Sequence, residues 1–138
     1  MRVLVDTPVW SLALRRHTGN LNPDQNKLKQ TLTELIREGR ILMIGPVRQE
    51  LLSGLREDSQ FDRLRDDLRP FKDDPIHTDD YEDAARMSNL CSSRGVASSP
   101  VDMLICAIAG RSRSSIFTTD RDYLLYSKFL PVQLLRTS

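Results

Sequence analysis

The segment from Val3 to Pro8 constrains the chain most. Val3-Leu4-Val5 is a short, unbroken apolar run of β-branched character, and it stops abruptly at Asp6 and the pair Thr7-Pro8. A run that is apolar on both faces reads as a fully buried strand, the kind found in parallel sheets covered by helices. Thr7 is placed to serve as a helix N-cap with Pro8 at the first helical position, and Val9, Trp10, Leu12, Ala13 and Leu14 carry the helix to a breaker at Thr18-Gly19-Asn20. The pattern then repeats. Asn22-Pro23 opens a helix with Leu28, Leu32, Leu35 and Ile36 at helical spacing, ending near Gly39. Ile41 to Ile44 is a second buried strand, and Gly45-Pro46 launches a helix with Val47, Leu51, Leu52 and Leu55 inward. Farther on, the pattern predicts a helix over 60–68, a short strand over 75–77 and a helix over 78–94. Ser99-Pro100 starts a helix through Ala109, a strand covers 115–118, and an edge strand lies near 130–134. Strands alternating with helices imply right-handed crossovers, so the expected class is α/β, a parallel β-sheet flanked by helices. At 138 residues the chain is expected to form a single domain over 1–138.

Composition narrows the function classes. Hydrophobic residues at 39% and charged residues at 28% suit a packed globular domain and exclude disorder. Met1-Arg2 leads directly into the first strand without a signal h-region, and no apolar stretch has bilayer length, so no membrane is involved and the cytoplasm is the expected location. The two cysteines, Cys91 and Cys106, lack disulfide-scaffold or zinc-ligand spacing and read as reduced thiols. The net charge of +1 hides an uneven distribution. Residues 57–85 carry eleven acids and four bases, leaving sixteen bases and eight acids elsewhere. That basic remainder suits a phosphate backbone and equally an acidic protein partner.

In an open parallel sheet, ligands bind beyond the carboxyl ends of the strands, and here the residues at those ends are acidic. Asp6 closes the first strand, Glu50 lies in the opening turns of the helix after the second, Asp102 in the first turn after Ser99-Pro100, and Asp120 at the end of the strand from 115, with Asp122 close behind. Each has an ordinary structural reading. Asp102 with Ser99 resembles a capping box, Glu50 complements a helix dipole, and Asp120 suits an Asx turn. Asp6 is different, because a carboxylate directly after Val3-Leu4-Val5 has little solvent and needs a donor or a cation. Four acids converging on one edge repel unless they share a cation, and an all-carboxylate set favours Mg²⁺ or Mn²⁺ over zinc. Such cations orient a phosphate, lower the pKa of water and stabilise a leaving oxygen, so phosphodiester hydrolysis is the expected chemistry. Thr118 and Thr119 are candidates to orient a water or a carboxylate, or are ordinary strand threonines.

Val-Asp-Thr-Pro-Val-Trp at 5–10, Glu50 within Val-Arg-Gln-Glu-Leu, Ser-Pro-Val-Asp-Met-Leu-Ile-Cys-Ala at 99–107 and Thr-Thr-Asp-Arg-Asp-Tyr at 118–123 together resemble the PIN-domain ribonucleases, and more narrowly the VapC toxins of bacterial toxin–antitoxin pairs. The resemblance spans nearly the whole chain in motif order. It implies that Asp6, Glu50, Asp102 and Asp120 are metal-binding acids, with Asp122 auxiliary and Thr118 positioning water. It also implies an RNA substrate, a homodimer, and a VapB-like antitoxin that neutralises the nuclease. One departure is Pro8, where the family often has Ser, so that any hydroxyl role there would fall to Thr7.

Other residues and functions weigh less. Trp10, on an amphipathic helix, reads as core more readily than as a base-stacking contact. His17 and His77 lack ligand or triad spacing and read as surface or loop residues, and Cys106 as buried packing. Arg111 and Arg113, beside Ser112, are either phosphate contacts or solvated helix-end charges. A phospho-receiver domain would want an acidic pair at the first strand and a late-strand Lys, neither of which is present. A phosphatase with a nucleophilic Asp would want an acid where Pro8 stands. A PIN-like RNA- or protein-binding module without catalysis is the remaining alternative, against which the intact acidic quartet argues.

Overall fold

The computed structural model describes residues 1–14 and 20–136. The first strand, β1, spans Val3–Val5 and is buried throughout. It is followed by α1 (Thr7–Leu14), α2 (Pro23–Arg37), β2 (Ile41–Leu42), α3 (Gly45–Leu52), α4 (Asp58–Leu68), α5 (Thr78–Ser93), α6 (Pro100–Ser112), β3 (Ser115–Phe117) and α7 (Asp122–Phe129). The three strands form one parallel sheet in the order β2-β1-β3. Val3 pairs with Ile41 on one side and with Ser115 on the other, and Val5 pairs with Phe117. The fold is therefore the expected α/β sheet flanked by helices, with β1, the most apolar strand, at the centre. No described helix is long and apolar enough to cross a membrane.

The helix starts follow their local chemistry. Asn22 caps α2 through a reciprocal pair with Gln25, and Ser99 caps α6 by accepting the Asp102 N–H at 3.1 Å. Gly39, with φ of +67°, takes the left-handed turn that ends α2 and leads into β2. α1 departs from expectation at its start. Thr7 is itself helical, and the carbonyl of Asp6 accepts from the N–H groups of Val9 and Trp10, so Asp6 rather than Thr7 stands at the cap. The Thr7 hydroxyl is buried and has no hydrogen-bond partner among the described residues.

The remaining differences lie in the second half. Residues 75–77 form no strand. A single bridge from Asp73 to Met43 extends the sheet there instead, just ahead of Pro75, which has no N–H to give a ladder. The expected edge strand near 130–134 is reduced to one bridge, Leu134 to Ile116, closed by the Ile116 N–H to the Gln133 carbonyl and the Leu135 N–H to the Ile116 carbonyl, both 2.8 Å. The sequence pattern assigns no element to 122–129, and these residues form α7.

One hydrophobic cluster runs through the molecule. α1 packs on α2 and α3, and α3 on α4; α5 pairs with α6, which lies against β1 and β3. Trp10 is fully buried, edge-on to Phe71 at 5.1 Å, as a core residue. Arg48 ties α3 to the turn after α4 through Asp73 and the carbonyls of Leu68 and Phe71. His77 is an exposed residue leading into α5, whereas the expectation for His17 lies outside the described residues. Cys91 and Cys106 are free and buried, and burial pushes the Cys106 thiol up to about 12, which makes it a packing residue.

Candidate active site

β1 delivers Asp6 to the carboxyl edge of the sheet, where the residue is only 4% exposed. One oxygen accepts the Thr7 N–H and the other the Thr118 hydroxyl, each at 2.8 Å. No basic side chain is among its hydrogen-bond or ion-pair partners in the described residues. Burial pushes its pKa up to about 6. The two hydrogen bonds oppose that shift, and the charges of Asp102 and Glu50 reinforce it. Glu50, exposed on α3, is likewise raised, by partial burial and then by Asp102. Asp6, Glu50 and Asp102, which lie far apart in sequence, thus stand close enough to feel one another's charge.

Asp102 does not use its carboxylate as a capping-box residue would. The Ser99 hydroxyl accepts the Asp102 N–H, but the side chain turns toward α7, where Tyr123 donates to one oxygen at 3.1 Å and Tyr126 to the other at 2.8 Å. Burial first, and then the neighbouring carboxylates, push both phenols up, so each keeps the proton it donates.

Thr118 links the strand end into a chain. Its hydroxyl donates to Asp6 and accepts the Asp120 N–H at 3.0 Å. An Asp120 oxygen accepts the Asp122 N–H at 2.9 Å, which is the turn role its position suggested. Asp120 is thus tied to Thr118 by its backbone N–H while its carboxylate serves the turn, and Asp122 is exposed in the first turn of α7. Arg111 is engaged elsewhere, gripping Asp80 at 2.6 and 3.1 Å, and Arg113 is an exposed residue in the left-handed conformation that ends α6. Among the described residues, no group of three or more His, Cys, Asp or Glu side chains is arranged to hold a metal ion as it stands. The acids are mutually repelling neighbours rather than a closed coordination shell.

Two clefts open beside this edge. One, of about 710 Å³, is lined by Thr118, Asp120 and Leu124 together with the C-terminal residues Leu134 and Arg136. The other, of about 390 Å³, lies between α1 and α2 and is lined by Pro8, Leu12 and Leu28. Thr119 borders both.

A parallel sheet with acids near its carboxyl ends defines an α/β protein with one acidic edge. The PIN domain family model matches residues 3–128, from the start of β1 into α7, and the chain belongs to that family. Three solved structures share its fold. One is FitAcB from Neisseria gonorrhoeae (20% identity, TM-score 0.76, covering 98% of this chain and 97% of that one). The second is VapBC2 from Rickettsia felis bound to a DNA fragment from their promoter (16%, 0.74, 99% and 98%). The third is FitAB bound to an IR36 DNA fragment (18%, 0.75, 96% and 93%). A comparison with curated proteins found no match.

Of the residues the sequence singles out, Asp6, Glu50 and Asp102 influence one another's charge, Thr118 is bonded to Asp6 and to the Asp120 backbone, and Asp122 lies exposed at the start of α7. Sequence reasoning missed Tyr123 and Tyr126. Tyr123 closes the motif at 118–123 without a role assigned to it, and its spacing of three residues from Tyr126 falls on one helical face once α7 is recognised.

Proposed function

We propose that the chain is a Mg²⁺- or Mn²⁺-dependent endoribonuclease toxin of the VapC kind, a single domain working in the cytoplasm as a homodimer and neutralised by a VapB-like antitoxin. The observation that carries this reading is Asp6: a buried carboxylate, held by two neutral donors and raised by the charges of two further acids, with no basic side chain among its partners in the described residues. A fold gains nothing from such an arrangement by itself, whereas a shared divalent ion relieves both the burial and the repulsion. The donor chemistry fits, since every candidate is a carboxylate oxygen and Mg²⁺ and Mn²⁺ are hard ions that accept such donors together with water. Asp6, Glu50, Asp102 and Asp120 would hold the ion, with Asp122 auxiliary.

A bound divalent ion supplies charge neutralisation and Lewis acidity toward a phosphodiester. The chain's own residues do the rest. Thr118 fixes the rotation of the Asp6 carboxylate through one oxygen while the Thr7 N–H fixes the other. Glu50, exposed at the rim, meets an incoming substrate before the buried Asp6 does. The two clefts flanking Thr119, one of them lined by Asp120, give an extended polymer a path along this end of the sheet. RNA as that polymer is supported by the family, and a protein partner by the likeness in fold to FitAcB and VapBC2.

The test is cleavage of total RNA by the purified chain with Mg²⁺ or Mn²⁺, beside Asp6→Asn. Cleavage is expected to need the metal, to stop in EDTA and to vanish in the variant. Undiminished cutting in excess EDTA by a preparation free of contaminating nuclease overturns the reading.

A further inference from the structure

The acidic edge is held from a direction that the sequence motifs did not indicate. Tyr123 and Tyr126 lie three residues apart on α7, both fully buried, with their rings edge-on at 5.1 Å. A buried phenol needs one acceptor, and a backbone carbonyl ordinarily suffices. Here both phenols spend their protons on one carboxylate, one to each oxygen of Asp102. The backbone N–H of Asp102 donates to Ser99, but its carboxylate is held by α7 and not by the end of its own helix. A carboxylate has roughly four lone-pair sites, so two such donors fix its rotation and still leave capacity for a cation.

We infer that Tyr123 and Tyr126 are positioning residues for the acidic centre: their hydroxyls hold the Asp102 carboxylate in place beside Asp6 and Glu50, so that α7 sets the affinity of the centre for a divalent cation. This inference rests on the metal-dependent reading above. It makes α7 part of the site, although neither tyrosine meets substrate. Outer partners that orient a ligating carboxylate typically contribute 10- to 100-fold in metal affinity, and the hydroxyls can be removed singly with little change of shape.

The experiment is direct Mn²⁺ binding to the chelator-stripped full chain, read by the electron paramagnetic resonance signal of free Mn²⁺. Wild type, Tyr123→Phe, Tyr126→Phe and Asp6→Asn are compared, and each is also melted without metal. Wild type is expected to bind Mn²⁺ and Asp6→Asn to lose it. Each Phe variant is expected to bind about 10- to 100-fold more weakly, while its metal-free melting temperature moves by no more than about 4 °C. The Mg²⁺-induced rise in melting temperature should shrink in parallel. If wild type binds Mn²⁺ and the folded Phe variants match it, the positioning role is overturned while the metal-dependent reading stands. If wild type takes up no Mn²⁺, the metal-dependent reading fails and this inference with it. Should Tyr123→Phe fail to fold, Tyr126→Phe decides alone; should neither fold, the hydroxyls serve the fold and the inference is overturned.

Discussion

The carboxylate of Asp6 is the residue where the fold and the candidate chemistry conflict. Its folded pKa, about 6, lies above its ordinary 3.8, because burial and two neighbouring acids disfavour the charge. A raised acid contributes stability that is fully present below the unfolded pKa and is lost as pH rises through the folded one. In chelator, the wild-type chain should therefore lose part of its stability between about pH 4 and pH 6. Asp6→Asn should lose less over the same interval and melt above wild type at pH 7.5. The variant keeps its contacts: the Asn oxygen can accept the Thr7 N–H, and the Thr118 hydroxyl can rotate to accept from the new amide. Melts of both proteins across pH 4–7.5 in EDTA check this, and parallel curves would sink it. Asp6 was legible in the sequence because its problem is local: three apolar residues precede it and a helix start follows. The partners of Asp102 were not, since Tyr123 and Tyr126 lie 21 and 24 residues downstream and only the docking of α7 brings them near.

At the scale of elements, α5 and α6 are joined by a contact unrelated to the acidic edge. Asp80, 1% exposed, accepts both hydrogen bonds from Arg111 and also the His77 N–H at the start of α5. Burial works against its charge, but these hydrogen bonds outweigh burial and hold its carboxyl below the usual range. The sign is thus opposite to that of Asp6: stability is present above the unfolded pKa and lost as pH falls through the folded one. Asp80→Asn should cost about 1.5–3 kcal/mol at pH 7, toward the lower end because the Arg111 side chain is 40% exposed and partly screened by solvent. It should also flatten the loss of stability in acid. Urea titrations at pH 7 and pH 4 measure both effects, and an Asn variant as stable as wild type at pH 7 would show the pair to be inert. Helix starts such as Asn22-Pro23, Gly45-Pro46 and Ser99-Pro100 were readable because a cap is a matter of adjacent residues. α7 was not. Leu124 and Leu125 are 58% and 43% exposed while Tyr123 and Tyr126 are buried, so its apolar residues surround the helix and leave no stripe to read.

At the scale of the whole molecule, the sheet is closed by its most distant parts. β1 stands in the middle, pairing with β2 and with β3, and the candidate site is completed when the Thr118 hydroxyl reaches Asp6 across 112 residues. Strand alternation gave the class but not this order, because strand order depends on which pairings bury the most apolar strand, and β1 lacks any polar face to mark an edge. A chain ended after Ser114 lacks β3, Thr118 and both tyrosines of α7. The only tryptophan, Trp10, is buried in the complete chain and reports on whether the core has formed. The shortened chain should show the red-shifted emission of a solvated indole, and native-like emission would mean that the core closes without β3.

The long reach from Thr118 to Asp6 also has a temporal side. Synthesis at about 5–20 residues per second puts roughly 6 to 22 seconds between the appearance of Asp6 and that of Thr118 across the 112 residues that separate them. During that interval the newborn chain carries its acids on separate segments, before β3 exists to gather them at one sheet edge. The acidic edge is assembled late, once β3 and α7 have been made. Until then Asp6 lacks the Thr118 hydroxyl that holds one of its oxygens, and Asp102 lacks both of its tyrosine donors.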